Sequence, residues 1–362
     1  MKRYIICSIL LLGTIQILQA QEKVEDKKAL TVSGYVEVYG QYDFSNPKNN
    51  VRPGFVYSHH RNNEVNLNLG LIKVNYDTER VRANLALGAG TYMNVNYAAE
   101  PATLKNSYEA NVGIKISKKH NLWIDAGIFP SHIGFESAIS KDCYTLTRSM
   151  GAENSPYFET GAKVSYTTED GKWLLSGLVL NGWQRIQRVD GNSTPAFGHQ
   201  VTYKPTDKVT LNSSSFMGSD QADSVRRIRY FHHFYGQFQL YDKLVLITGF
   251  DIGVEQKQKG SSKYNTWLTP VLIASYKVHD DLAFALRGEY YQDKDGVLID
   301  TGTPHGFQTF GYSFTLDYTV LTNLIWRTEF KKLQSKDAIF VERNAALTKD
   351  NVIGITSLAL RF

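Results

Sequence analysis

The sequence predicts an all-β chain: a transmembrane antiparallel β-barrel of about sixteen strands, with short periplasmic turns and long extracellular loops. Three observations carry this. Apolar and polar residues alternate with a period of two along most of the chain, which gives a strand one greasy and one wet side. The connections alternate short and long, as in bacterial outer-membrane barrels. The chain closes on NVIGITSLALRF, where Val352, Gly354, Thr356, Leu358, Leu360 and Phe362 share one face. Chain ends usually fray, so a regular apolar strand at the terminus needs a pairing partner and something to bury against.

The first residues set the compartment. Lys2 and Arg3 precede an apolar run, and Leu18-Gln19-Ala20 precedes a polar Gln21, the layout of a secretory signal peptide over residues 1–20. Residues 21–29 follow as a short periplasmic segment, and the barrel occupies 30–362. The leader contains no acidic residue, so the mature part keeps 38 basic against 35 acidic residues, a net of +3. That balance is too even to indicate a nucleic-acid partner. Cys143 is the one cysteine left after cleavage, so no internal disulfide forms. Tyr (22), Gly (28) and Phe (18) are abundant and Pro (9) is scarce, a composition of strands and turns. No stretch of the mature part is apolar for about eighteen residues, so no transmembrane helix is expected.

The strands follow in order. In 30–43, Leu30, Val32, Val36, Val38 and Tyr42 oppose Ser33, Glu37 and Gln41. Strand 63–76 changes phase, since Val65, Leu67, Leu69 and Leu71 give way to Ile72, Val74 and Tyr76; this predicts a β-bulge between 71 and 72. In 79–92, Val81, Ala83, Leu85 and Leu87 oppose Arg82, Asn84 and Gly88. In 107–117, Tyr108, Ala110, Val112, Ile114 and Ile116 oppose Glu109, Asn111 and Lys115. Strands are then expected at 121–130, 156–167, 172–183, 197–204, 208–217, 228–241, 243–255 and 264–277, with 172–183 and 208–217 the poorest alternators. Leu282, Phe284, Leu286 and Tyr290 oppose Arg287 and Glu289 in 281–292, and Phe310, Tyr312, Phe314, Leu316 and Tyr318 oppose Thr309, Ser313 and Asp317 in 307–318. Strands 322–332 and 351–362 complete the set. An even count puts both termini on the periplasmic side.

Tyr76, Tyr166, Tyr203, Tyr276 and Tyr318 each lie on the apolar face just before a short turn. A ring with an apolar body and a polar hydroxyl suits an aromatic girdle at the membrane interface. Lipid offers no partner to a free sheet edge, so the last strand is expected to close on 30–43, with Phe362 at the periplasmic rim. An alternating strand with a terminal aromatic is also the form of an outer-membrane assembly signal, which implies the barrel assembly machinery as a partner.

The other faces carry charge. Candidate pore-lining residues on the strands are Glu37, Arg82, Glu109, Lys115, Asp125, Glu159, Lys163, Arg287, Glu289 and Arg327, with Lys73, Asp251, Asp317, Glu329 and Lys331 beside them. In a dry core such groups would cost several kcal/mol each unless paired, so a hydrated lumen is expected; at about sixteen strands a barrel leaves room for an aqueous channel. The alternative is an interior filled by salt bridges. The longest connection, 131–155, is either folded into the lumen, where Glu136 and Arg148 would join the pore wall, or exposed as a surface loop. No cofactor or metal site is expected: His232 and His233 are adjacent in a strand and point to opposite faces. No segment resembles a nucleophile elbow, so no catalytic residue is assigned.

GYVEVYGQYDF at 34–44, HHRNNEVNLNLGLIKVNY at 59–76, WIDAGIFPSHIGFES at 123–137, SPYFETGAKVSY at 155–166 and LVLNGWQ at 178–184 resemble the OmpL-like β-barrel porin family of Gram-negative outer membranes. The resemblance covers most of the mature part and is strongest from 34 to 184. It implies a porin-like barrel in outer-membrane lipid that passes small polar solutes or ions. Many diffusion porins are homotrimers, but no subunit interface is legible here. A barrel that binds a ligand or surface partner and conducts little is the alternative. In WIDAGIFPSHIGFES, Gly127, Pro130 and Gly134 suit a strand that ends in a sharp turn. Glu136 is placed to pin the loop base, with Arg148 and Glu159 as its expected partners.

Overall fold

A computed structural model describes residues 29–362; the expected signal peptide, and all but the last residue of segment 21–29, lie outside the described residues. Alternation becomes architecture in β1 (Leu30–Asp43), β2 (Glu64–Asp77), β3 (Val81–Ala89), β4 (Ser107–Lys115) and β5 (Asn121–Pro130). Next come β6 (Phe158–Thr167), β7 (Trp173–Leu180), β8 (Ala196–Thr206), β9 (Val209–Gly218) and β10 (Arg229–Tyr241). The wall continues through β11 (Leu244–Gln256), β12 (Tyr264–Lys277), β13 (Leu282–Asp293), β14 (Phe307–Leu321) and β15 (Leu324–Ser335). A two-residue ladder, β16 (Phe340–Val341) with β17 (Leu347–Thr348), decorates the last long loop before β18 (Asp350–Arg361). Each barrel strand pairs antiparallel with its sequence neighbour, and β18 closes on β1, giving a closed sixteen-strand barrel.

The closure joins the expected pair of strands. Val36 lies opposite Leu360 and Val38 opposite Leu358. Gly34 N–H donates to Phe362 O at 2.7 Å and Phe362 N–H to Gly34 O at 3.0 Å, and the Phe362 ring fills the space that a side chain at 34 would need. The edge that lipid could not satisfy is thereby removed.

Outward residues stay uncovered where hydrocarbon would cover them: Leu85, Val112, Leu272, Leu286, Phe314 and Phe330 are among the exposed large apolar side chains. Tyr76, Tyr276 and Tyr318 are exposed beside the short turns, and Tyr203 stacks on Trp173 with centroids 4.1 Å apart.

Two expectations fail for one reason. The β-bulge lies at Asn68, since Glu37 faces Leu69 while Val38 faces Leu67. No phase change is needed at 71–72, because Leu69 and Leu71 are inward residues in an apolar cluster with Tyr92, Met93 and Tyr97. That cluster exists because the chain leaves the sheet after Ala89, earlier than the expected end at 92. Residues 91–96 form a short helix, α1 (Thr91–Asn96), that turns inward. At Gly90, φ is +128° and a Cβ would meet the Asn68 and Leu67 carbonyls, so this corner needs glycine.

Candidate functional site: a loop folded into the lumen

The site is built from residues 131–155. β5 ends at Pro130, and Gly134 takes φ +89°, so the chain turns off the wall into the barrel. It crosses the interior through a series of bends, makes a short 3-10 turn at Ser140–Asp142 and the helix α2 (Met150–Glu153), and rejoins the wall at β6. Ala138, Ser140, Leu146, Arg148, Met150 and Glu153 are all buried. Of the two placements open in the sequence, the structure has the inward one.

Charge fixes it there. Arg287 of β13 donates from Nη1 to Thr145 Oγ1 at 2.9 Å and Thr147 O at 2.7 Å. From Nη2 it reaches Thr147 Oγ1 at 2.8 Å and Glu329 Oε1 at 3.0 Å. Glu329 accepts from Thr147 N–H at 2.9 Å. Glu289 accepts from Met150 N–H, and Lys331 donates to Arg148 O and contacts Glu289, both at 3.0 Å. Arg327 clasps Asp317 and donates to the Ser140 and Cys143 carbonyls. Two strands along the wall from Arg327, on β1, Glu37 accepts from Ser140 Oγ at 2.6 Å, Asn68 Nδ2 at 2.8 Å and His59 Nε2 at 3.2 Å. Charged groups in a space this dry persist only when paired and hydrogen-bonded, and the loop's backbone amides, carbonyls and hydroxyls supply those partners.

The expected pore-lining residues therefore divide. Glu37, Arg148, Glu159, Arg287, Glu289 and Arg327, with the side chain of Glu136, sit in the buried contact between loop and wall. Arg148 does not face a channel: its guanidinium donates to the carbonyls of Ser137, Ala138 and Leu146 and folds the loop around itself. Glu136 does pin the loop base, but through Ser149, whose N–H and hydroxyl both donate to it. Arg148 and Glu159 are not its hydrogen-bond partners. Its nearest cation is Arg287 at 3.8 Å, and Glu159 pairs with His132 instead. The remaining five lie on β3–β6. Arg82 grips Asp125 with Nε 2.7 Å from Oδ1 and stacks over Trp123 at 4.3 Å. Glu109 pairs with Lys73. Lys163 covers the Phe129 ring at 4.9 Å, and Lys115 is half-buried.

His132 escaped the sequence reading, as did the hydroxyls of Ser140, Thr145 and Thr147. The dense Ser/Thr spacing of 137–149 was the available signal for a loop that has to satisfy buried charge. His132 Nδ1 lies 2.7 Å from Glu159 Oε2 and Nε2 2.8 Å from Ser215 O. Both partners are acceptors, so both ring nitrogens carry protons. Burial opposes the imidazolium, yet the Glu159 carboxylate and the Ser215 carbonyl hold its pKa above the ordinary value. With a raised folded-state pKa, this clamp is complete below about 6.5, the unfolded value, and is lost as pH rises through the folded pKa. Replacing His132 by Asn should therefore cost about 3 kcal/mol of stability in detergent at pH 6, the cost of a broken buried pair, read as a lower unfolding midpoint. The gap between variant and native protein should close as pH rises; a gap independent of pH would contradict the assignment.

The loop divides the interior. A recess of about 670 Å³ opens at the outer mouth among Asp43, Arg52, Phe55, His60, Ile299 and Asn351. A second, of about 590 Å³, opens at the opposite end among Tyr144, Gln237, Lys243, Asp281 and Asp317. Two small cavities lie between the loop and β10–β12: one of about 50 Å³ among Phe135, Glu136, Tyr144 and Ile273, and one of about 20 Å³ among Glu136, Ser149, His233, Asp251 and Thr269. Glu153 of α2 accepts from the Tyr57 and Ser58 amides, so α2 and the loop 44–63 form the partition under the outer recess.

Residues 29–362 match the family described as "Putative beta-barrel porin-2, OmpL-like". The chain belongs to this family. Among solved structures it is similar to the anion-selective porin from Comamonas acidovorans, with TM-score 0.62 and 10% identity over 92% of this chain and 99% of that one. It is also similar to OprB of Pseudomonas putida, with TM-score 0.59 and 10% identity over 97% and 96% of the two chains. The trimer form of in-vitro folded OmpT of Vibrio cholerae gives TM-score 0.58 and 8% identity over 92% and 99%. At such identities these likenesses show the fold. No curated protein is significantly similar in sequence. With the family and the closed barrel, this porin-2 family member is an outer-membrane β-barrel of the channel-forming kind.

Proposed function

We propose that this barrel passes small polar solutes or ions by passive diffusion and that residues 131–155 set its limit. The observation that carries the reading is the lumen itself. Two recesses of hundreds of cubic ångströms face each other across a loop held by buried charge, and the wall of β2–β6 bears the Lys73–Glu109 and Arg82–Asp125 pairs. Water-filled lumens carry such residues, whereas the outer face does not. No bond is made or broken in this account, and it needs no cofactor. Trimeric assembly, as in the named form of OmpT, and recognition of the Phe362 strand by the assembly machinery both belong to the same reading.

A second reading is favoured by the outer recess. At about 670 Å³ it has the size of a small-molecule site, and the partition beneath it would suit a barrel that binds more than it conducts. Planar-bilayer recording separates the two. Discrete unitary currents from the purified protein are the outcome expected of a porin; their absence from folded, membrane-inserted protein would favour the binding barrel.

A further inference from the structure

The His232-His233 pair divides between the two faces of the wall. His233 turns inward and stacks on Phe135 of the loop, with centroids 6.2 Å apart; His232 turns outward. On β8, His199 faces outward as well, since a Cβ at its neighbour Gly198 would meet His132 in the interior. These are the only histidines on the outward face of the described strands. The register sets them in one row across β7–β10, Gly177–His199–Ser215–His232, and the two rings converge to 5.5 Å across β9. The row lies inside the apolar belt. On its extracellular side the next row is Phe197–Met217–Tyr230, and on its periplasmic side Val201–Ser213–Phe234. Phe197, Met217, Tyr230 and Phe234 are all exposed where hydrocarbon would cover them.

Imidazoles and hydroxyls facing hydrocarbon are costly unless hydrogen-bonded. The barrel meets part of that need itself: the Ser215 hydroxyl bonds to His199 Nδ1, and Ser213 Oγ lies 2.9 Å from His232 Nε2. The other ring nitrogens, His199 Nε2 and His232 Nδ1, have no hydrogen-bond partner among the described residues. Both side chains are only half-buried, and acyl chains offer them nothing. We propose that this row is the contact at which a second copy of this chain docks. Complementarity argues for that occupant. A neutral imidazole donates at one nitrogen and accepts at the other, so a copy bearing the same histidines and serines offers a match for each. Gly177, Ser213 and Ser215 are small, and the space where a Cβ at Gly177 would stand is open, which lets two walls approach closely. The inference rests on the trimeric assembly proposed above, gives it a place on the barrel, and does not depend on conduction.

Photo-crosslinking in outer membranes tests the contact, with p-benzoylphenylalanine in place of Val201, beside the row, or of Val38 on β1, nearly half-way round the barrel. Position 201 should give a covalent dimer and position 38 little or none; a yield from 38 equal to or above that from 201 overturns the proposal. The molar mass in mild detergent is then compared for native protein, His199→Leu/His232→Leu and His199→Gln/His232→Gln. Native protein should be oligomeric. The leucine pair should fall to monomers that keep heat-modifiable migration, and the glutamine pair, which keeps a donor and an acceptor at each position, should stay assembled. A leucine pair with the full native mass overturns the docking row and leaves the assembly in place. Native protein that is monomeric and gives no crosslink at 201 removes the assembly, and the row with it, while the porin reading is decided separately by the bilayer recording.

Discussion

Arg287→Ala releases the loop. The substitution takes the guanidinium from Glu329, leaves Glu289 with Lys331 as its one cation, and removes the donor to Thr145 Oγ1 and the Thr147 carbonyl. Removing one partner of a buried pair costs about 3–5 kcal/mol. Most of that falls on attachment of the loop, because the strand ladder around Arg287, from Ala285–Thr315 to Glu289–Gly311, needs no side chain at 287. The protein carries its own reporter. Cys143 is buried in the loop, and its thiol accepts from Ser137 N–H at 3.2 Å. Burial also raises its pKa, keeping it in the unreactive thiol form. A membrane-impermeant maleimide should therefore label Cys143 slowly in native protein and far faster in Arg287→Ala, with unitary conductance rising in the variant. Equal labelling rates would show that Arg287 does not hold the loop.

Glu37→Ala attacks a second anchor, on β1. It leaves His59, Asn68 and the Ser140 hydroxyl without their shared acceptor, at about 1–3 kcal/mol for each buried donor left unsatisfied. The carboxylate joins three segments, since His59 belongs to the loop 44–63, Asn68 to the bulge of β2 and Ser140 to the lumen loop. The variant should therefore lose more than about 3 kcal/mol, read as a lower midpoint for loss of the heat-resistant band. Glu37→Gln, which keeps one acceptor oxygen, should fall between. A variant midpoint equal to native would remove Glu37 from the anchor.

The barrel was legible because a lipid-facing strand must repeat every two residues and every second turn must be short. Even the closing pair of β1 and β18 could be inferred, since hydrocarbon forbids an open edge. The misplaced bulge shows where that logic stops. Leu69 and Leu71 look lipid-facing by period alone, yet they face an apolar patch made by α1, and nothing in a strand's own pattern reports what a distant loop will cover. The same limit applies to charge. Glu37 and Arg327 read correctly as inward, but whether an inward charge meets water or the amides of a folded loop depends on contacts more than a hundred residues away in sequence, such as Ser140 with Glu37. Arg148 shows it most plainly: long and charged, it reads as a pore residue, and the structure spends it on three carbonyls of its own loop.

The most direct measurement is the unitary conductance of a barrel whose residues 138–147 are replaced by a short Gly-Ser linker, set beside that of the native protein. If the loop is what divides the lumen, the shortened channel carries a several-fold larger current at the same voltage, since its resistance then lies in the barrel alone. A shortened barrel that folds and inserts yet conducts no more than the native one would contradict the account.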